Sequence, residues 1–180
     1  MERQRRGLDT QLAVNISGKS LADNSFLQFA LRTLASSGGD ATWLTLEITE
    51  TAVIPRIRQA QRFVKELKTL GCRFALDDFG AGFTSFETVR QFPADYLKID
   101  GRFVRDLARR EVDQYLIRAI VEIATGLGQR TVAEYVSDAT SVELLQDCGV
   151  DFGQGFYLGR PIPLEEALGA LDVTDLRSAA

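Results

Sequence analysis

The sequence predicts an α/β fold of the (β/α) barrel type, a parallel sheet wrapped by helices and opening on an acidic mouth. Three observations carry that expectation. Short extended runs alternate with helix-length runs, the extended runs segregate apolar from polar residues by alternate positions, and a charged or amide residue stands near the end of one run after another.

The extended runs cover residues 11–17, 43–49, 73–78, 96–100 and 130–135, with a short one at 151–154. A helix-length segment follows each. Between residues 56 and 70 the apolar positions Ile57, Ala60, Phe63, Val64 and Leu67 recur at steps of three and four, which places them on one face of a helix. Gly71 then stands where a C-terminal cap belongs. Segments 113–127 and 138–148 carry the same periodicity, and the second opens on Asp138, a good N-cap residue. Six βα units in succession imply a parallel sheet.

Within the run at 43–49, Leu44, Leu46 and Ile48 alternate with Thr45, Glu47 and Thr49, the period of two that a pleated strand requires. Phe74 to Asp77 and Leu97 to Asp100 repeat the pattern. The aliphatic face must meet the helices, so the charged face points away from them. In a doubly wound sheet both faces meet helices and strands read as continuous apolar runs. Here the second face is polar, which fits the interior of a barrel whose functional groups come from the C-terminal ends of several strands.

Composition narrows the chemistry. With 180 residues and 45% hydrophobic content the chain can bury one core. Its formal net charge of −4 comes from interleaved acidic and basic residues, so no basic stripe offers itself to a polynucleotide. Arg3, Arg5 and Arg6 cluster at the start without the apolar run of a secretory signal, and no stretch approaches the roughly 20 apolar residues of a membrane span. Cys72 and Cys148 form no metal or redox spacing and read as core residues of a reduced, cytoplasmic protein. There are no histidines. That removes Ser-His-Asp and Cys-His nucleophile systems and histidine-ligated zinc. Hydrolysis would have to run on carboxylates, lysine or a metal held by oxygen, for which magnesium or manganese is suited.

The residues at the strand ends are Asn15, Glu47, Asp77 with Asp78, Lys98 with Asp100, Glu134 and Gln154. Singly, each has an ordinary reading as a helix cap or loop residue. Together they form a site in which like charges raise one another's pKa unless a cation stands among them. Two divalent ions about 3.5–4 Å apart would meet that need and support phosphodiester hydrolysis. Lys98 is the one cation of the set, and its plain reading is a salt bridge to Asp100 or Glu134. A Schiff-base role would need Lys98 desolvated, and the carboxylates around it argue against that role.

These residues also resemble a known family. Val14-Asn15-Ile16-Ser17, Leu46-Glu47-Ile48-Thr49-Glu50, Asp77-Asp78-Phe79-Gly80 with Ala81 to Ser85, Leu97-Lys98-Ile99-Asp100, Ala133-Glu134, and Gln154-Gly155-Phe156 running on to Arg160-Pro161 look like the signature of the EAL-domain cyclic di-GMP phosphodiesterases, in family order over about residues 10 to 171. The resemblance implies a TIM-type barrel and a two-metal site for Mg2+ or Mn2+. Asn15, Glu47 and Asp77 would hold one ion, while Asp77, Asp78 and Glu134 would hold or serve the second. Lys98 would orient the attacking water or offset phosphate charge, and Glu134 would act in proton transfer. Gln154 would contribute to the site with Asp100, and Glu50 would support the loop that runs from Phe79 and Gly80 to Ser85. The glycines of that loop read equally as a plain tight turn.

The departures from the family are as informative. Its Glu-Ala-Leu strand lies tens of residues before the asparagine strand, and the glutamate of that strand completes the first metal site. Here only residues 1–10 precede the asparagine strand, and Glu166-Ala167-Leu168 falls in a segment that reads as the last helix. The expectation is therefore an N-terminal remnant at 1–10, a partial EAL domain of about six of eight strands at 11–172 with an incomplete first metal site, and a tail at 173–180. At Tyr135 and Ser137 the family usually has Gly and Glu, so a carboxylate is missing there. Three explanations stand side by side: a piece of a longer enzyme, a catalytically silent remnant that binds cyclic di-GMP or a protein partner, and a homodimer whose halves complete each other.

Overall fold

A computed structural model describes residues 11–36, 38, 40–81, 86–163 and 166. Six parallel strands form one sheet in chain order: β1 (Leu12–Asn15), β2 (Leu44–Thr49), β3 (Arg73–Phe79), β4 (Tyr96–Ile99), β5 (Arg130–Ala133) and β6 (Phe152–Gly153). The helices between them are α1 (Gly18–Ala22), α2 (Asn24–Ser36), α3 (Glu50–Val53), α4 (Ile57–Lys68), α5 (Phe86–Gln91), α6 (Gly101–Val104), α7 (Glu111–Gly126) and α8 (Ala139–Asp147). A single cavity of about 550 Å³ touches Ala13 on β1, Glu47 on β2, Ala75 on β3, Lys98 on β4, Val132 on β5 and Phe152 on β6. For one concave space to reach both outer strands the sheet must curl, and the six strands form the arc of a (β/α) barrel. Residues 1–10, 82–85, 167–172 and 173–180 lie outside the described residues, and the expectations placed on them lie there too.

The alternation read from the sequence sorts the two faces. Leu44, Leu46, Ile48, Phe74, Leu76, Leu97 and Ile99 are buried with the apolar face of α4, where Ala60, Phe63, Val64 and Leu67 are also buried. Phe63 lies between two aromatic partners, stacked on Phe26 of α2 at 6.1 Å and edge-on to Phe74 at 6.3 Å. Truncating a fully buried phenylalanine of this kind to alanine costs about 3–5 kcal/mol. Asp138 caps α8 as its residue type suggests, accepting from Ser141 N at 2.7 Å.

The N-terminal ends of the strands are tied by aspartates. Asp95 accepts from Phe74 N at 2.8 Å and from Lys68 Nζ at 2.7 Å, while its own N–H donates to Phe74 O and its carbonyl accepts from Arg130 N. Asp151 repeats the device, its Oδ2 accepting from Thr131 N at 2.8 Å and Thr131 Oγ1 at 2.9 Å. These bonds use up the carboxylates at that end. The opposite ends of the strands are left to carry the converging charges. No helix among the described residues is long and apolar enough to cross a membrane.

Candidate functional site

Lys98 stands at the centre. It alternates with Leu97 and Ile99 on β4, so the pleat that buries those two against the helices sends the lysine into the concavity. Its Nζ lies 2.7 Å from Glu134 Oε1, 2.9 Å from Asp77 Oδ1 and 3.0 Å from Glu47 Oε2, with the lysine side chain 4% exposed. Three strands thus deliver a carboxylate to one ammonium. The curl of the sheet makes this reach possible, since β2 is two strands away from β4. Burial pulls Lys98 toward its neutral form, but Glu134 and Asp77 outweigh it and raise its pKa above the ordinary lysine value. The plain reading of Lys98 as a salt-bridge partner holds for Glu134. Asp100 instead bonds Arg102, whose N–H it accepts at 2.7 Å and whose Nε lies 3.2 Å away, and it caps α6.

β3 departs from regular strand geometry where it matters. Its register with β4 shifts between Leu76 and Phe79, and Asp78 has φ +57°. In a regular strand Asp77 and Asp78 would face opposite sides. With the break, Asp77, Asp78 and Glu134 each present an oxygen within 4.8 Å of the others. Aspartate is one of the few residues that enters the left-handed region readily. Burial, then the charges of Asp77 and Asp100, raise the Asp78 pKa. Burial also raises that of Glu134, with Lys98 opposing.

A divalent cation suits this donor set. All three groups are carboxylates, the ligand type preferred by hard cations. Asp77 Oδ1 is buried and meets Lys98 off the hydrogen-bonding direction, accepting no well-formed hydrogen bond. That is an oxygen with coordinating capacity left over. Asn15 is paired in register with Glu47, so the two side chains share the concave face at the C-terminal end of β1 and β2.

The remaining expected residues fall as follows. Gln154 lines both the central cavity and a second one of about 480 Å³ that contains Asp78, Asp100 and Glu134. Glu50 is buried at the start of α3. Phe79 is core, and its carbonyl accepts from Asp100 N. Gly80 has φ +92°, and a Cβ there would collide with the Phe103 ring, so the turn needs glycine. Ser137 lines the second cavity, its Oγ bonded to Asp138 Oδ2 at 3.1 Å. Tyr135, Arg102, Arg105 and Phe156 also line that cavity, and sequence reasoning did not single them out as site residues. Two of them carried a signal: Tyr135 through its place after Glu134 where the family usually has glycine, and Phe156 through its place in the Gln154-Gly155-Phe156 motif.

A curled parallel sheet with an acidic, lysine-centred cluster at its C-terminal edge defines a barrel-type α/β domain with a carboxylate donor set suited to a hard cation. A family model described as "EAL domain" matches residues 1–161, and the chain belongs to that family. It is 35% identical over 156 residues to the cyclic di-GMP phosphodiesterase PdeB of Shewanella oneidensis, covering 87% of this chain and 18% of that protein. It is 33% identical over 162 residues to PdeF of Escherichia coli, also named a cyclic di-GMP phosphodiesterase, covering 90% of this chain and 22% of that protein. The chain thus spans about a fifth of these relatives. Among solved structures it superimposes on the FimX EAL domain of Xanthomonas citri in complex with c-diGMP, with a TM-score of 0.84 and 34% identity over 91% of this chain and 64% of that one. The manganese/cy-diGMP complex of BlrP1 from Klebsiella pneumoniae gives a TM-score of 0.76 at 32% identity, over 84% of this chain and 39% of that one.

Proposed function

We propose that this chain carries the catalytic centre of a cyclic di-GMP phosphodiesterase domain, which opens the cyclic dinucleotide to its linear form. The observation that carries this reading is the meeting of Asp77, Asp78 and Glu134 within 4.8 Å, beside a lysine that is ion-paired with two of them. Asp77, Asp78 and Glu134 would hold one ion, with Asn15 and Glu47 contributing beside Asp77 to a less complete neighbouring site. Magnesium or manganese bound there supplies positive charge that polarises the phosphate and lowers the pKa of an attacking water.

The chain's own residues do the rest. Lys98 keeps Glu47, Asp77 and Glu134 converged without metal and offsets charge on the phosphate when substrate enters. Glu134, its pKa raised by burial, takes a proton from the water as its oxygen attacks phosphorus. The ester P–O bond breaks and the leaving sugar oxygen recovers a proton, so the products are the linear dinucleotide and an unchanged carboxylate. Gln154 supplies an amide to the substrate, and Glu50 and Gly80 support the loop after β3. A cytoplasmic location belongs to the same proposal.

The test is chromatography of nucleotides after incubating the protein with cyclic di-GMP and magnesium or manganese. Metal-dependent turnover that is lost in Glu134→Ala is expected, because Glu134 both faces the candidate metal site and takes the proton. Metal-independent turnover, or turnover unchanged in Glu134→Ala, counts against the reading. A silent binding module is the second reading, favoured by Ser137 standing in the cavity wall where the family usually has glutamate. Binding of cyclic di-GMP without product would select it. The exposure of Leu12 and Val14 on the edge strand β1 also fits a homodimer, which sedimentation would reveal.

A further inference from the structure

Tyr135 has a backbone conformation that a tyrosine rarely adopts. Its φ is +62°, in the left-handed region where glycine is at ease and a bulky residue is an outlier. It follows Glu134 at the end of β5, and its surroundings leave it little choice. On one side Val136 N donates to Gln154 O at 3.0 Å and Tyr157 N donates to Val136 O at 3.2 Å. On the other side lies Gly101, where an added Cβ would stand 2.6 Å from Tyr135 Cβ. The guanidinium of Arg105 sits 4.6 Å from the ring centroid. The ring gains no core burial from this arrangement, for Tyr135 is 51% exposed. It forms part of the wall of the 480 Å³ cavity with Asp78 and Glu134. Phe156 lines the same cavity and is itself backed by Arg160 at 4.9 Å. A strained residue held by over-determined surroundings at the edge of a site points to function.

We propose that Tyr135, held between Gly101 and Arg105, is a base-stacking residue whose ring takes the face of one purine base of a cyclic dinucleotide and so sets its phosphate beside Asp78 and Glu134. This rests on the phosphodiesterase reading above. A cavity of this volume falls in the range that holds small-molecule ligands, and exposed aromatic faces bind bases irrespective of their edges. Discrimination comes from the polar part of the wall. Arg102 and Asp100 stand side by side there. Guanine offers acceptors at O6 and N7, which a guanidinium matches, whereas adenine places a donor at the corresponding exocyclic position.

The experiment titrates cyclic di-GMP and cyclic di-AMP into the whole chain by calorimetry in the presence of calcium, for the wild type, Tyr135→Phe, Tyr135→Gly and Tyr135→Asn. Thermal midpoints are measured alongside. Tyr135→Gly relaxes the backbone and Tyr135→Asn tolerates the left-handed turn, so both are expected to keep or raise the midpoint while binding cyclic di-GMP about tenfold more weakly. Tyr135→Phe keeps the ring and is expected to bind as the wild type does. Preference for the guanine ligand over the adenine one is expected in all four. If the ringless variants bind cyclic di-GMP as tightly as the wild type, the stacking role is overturned and the phosphodiesterase reading stands. If the wild type binds neither dinucleotide, both are overturned.

Discussion

Asp77 and Asp78 are successive residues of one strand, yet their carboxylates reach the same site, within 4.8 Å of each other and of Glu134. A regular pleat forbids this. The positive φ of Asp78 and the register break between Leu76 and Phe79 permit it. The sequence pair thereby becomes a candidate chelate.

Metal binding should depend on that pair. Asp77→Asn removes the charge of the group whose Oδ1 is buried without a well-formed hydrogen bond, so calorimetry with manganese should show affinity lowered by at least tenfold. Equal affinity in the two proteins would remove Asp77 from the site.

Lys98 should be essential to the metal-free fold. Lys98→Met leaves Glu47, Asp77 and Glu134 facing one another without the ammonium that all three now meet. Removing one partner of a buried ionic cluster costs about 3–5 kcal/mol. Denaturant unfolding should show that loss, and millimolar magnesium or manganese should recover part of it by taking over the neutralising role.

Stability without metal should fall as pH rises through the range just above ordinary carboxylate values. Asp78 and Glu134 have raised pKa values in the folded protein, so the native state binds more protons than the unfolded chain in that window. Stability is then greatest at the acidic side of the window and declines as pH passes the folded pKa values. Thermal midpoints against pH should trace this decline, and Asp78→Asn should flatten it.

Gly155 should tolerate no side chain. A Cβ there would collide with the backbone N and O of Val136, and backbone cannot swing aside as a flexible side chain can. Gly155→Ala should destabilise by about 1–3 kcal/mol as an overpacked contact does. It should also displace Glu134 and Tyr135, because the residues after β6 bond to the turn that follows them. Chemical denaturation measures the first effect and cyclic di-GMP calorimetry the second.

The sequence by itself determined the order of the strands and the sorting of their faces. Alternation of period two at Leu44, Leu46 and Ile48, and helical spacing from Ile57 to Leu67, are local properties that any packing of this chain must respect. It also determined which residues stand at strand ends, from Asn15 to Gln154, and the absence of histidine that limits the chemistry to oxygen ligands and lysine. Only the tertiary structure decided how those residues meet. The curl that brings Glu47 and Glu134 to one ammonium is a property of the sheet across β2 to β5, not of any one strand. The assignment of Asp100 to Arg102 rather than Lys98 follows from its place at the start of α6. The left-handed backbone at Asp78 and Tyr135 is imposed from outside each residue, by a register break in one case and by Gly101 and the β6 turn in the other. Contacts between residues far apart in the chain are set by packing, and no local pattern encodes them.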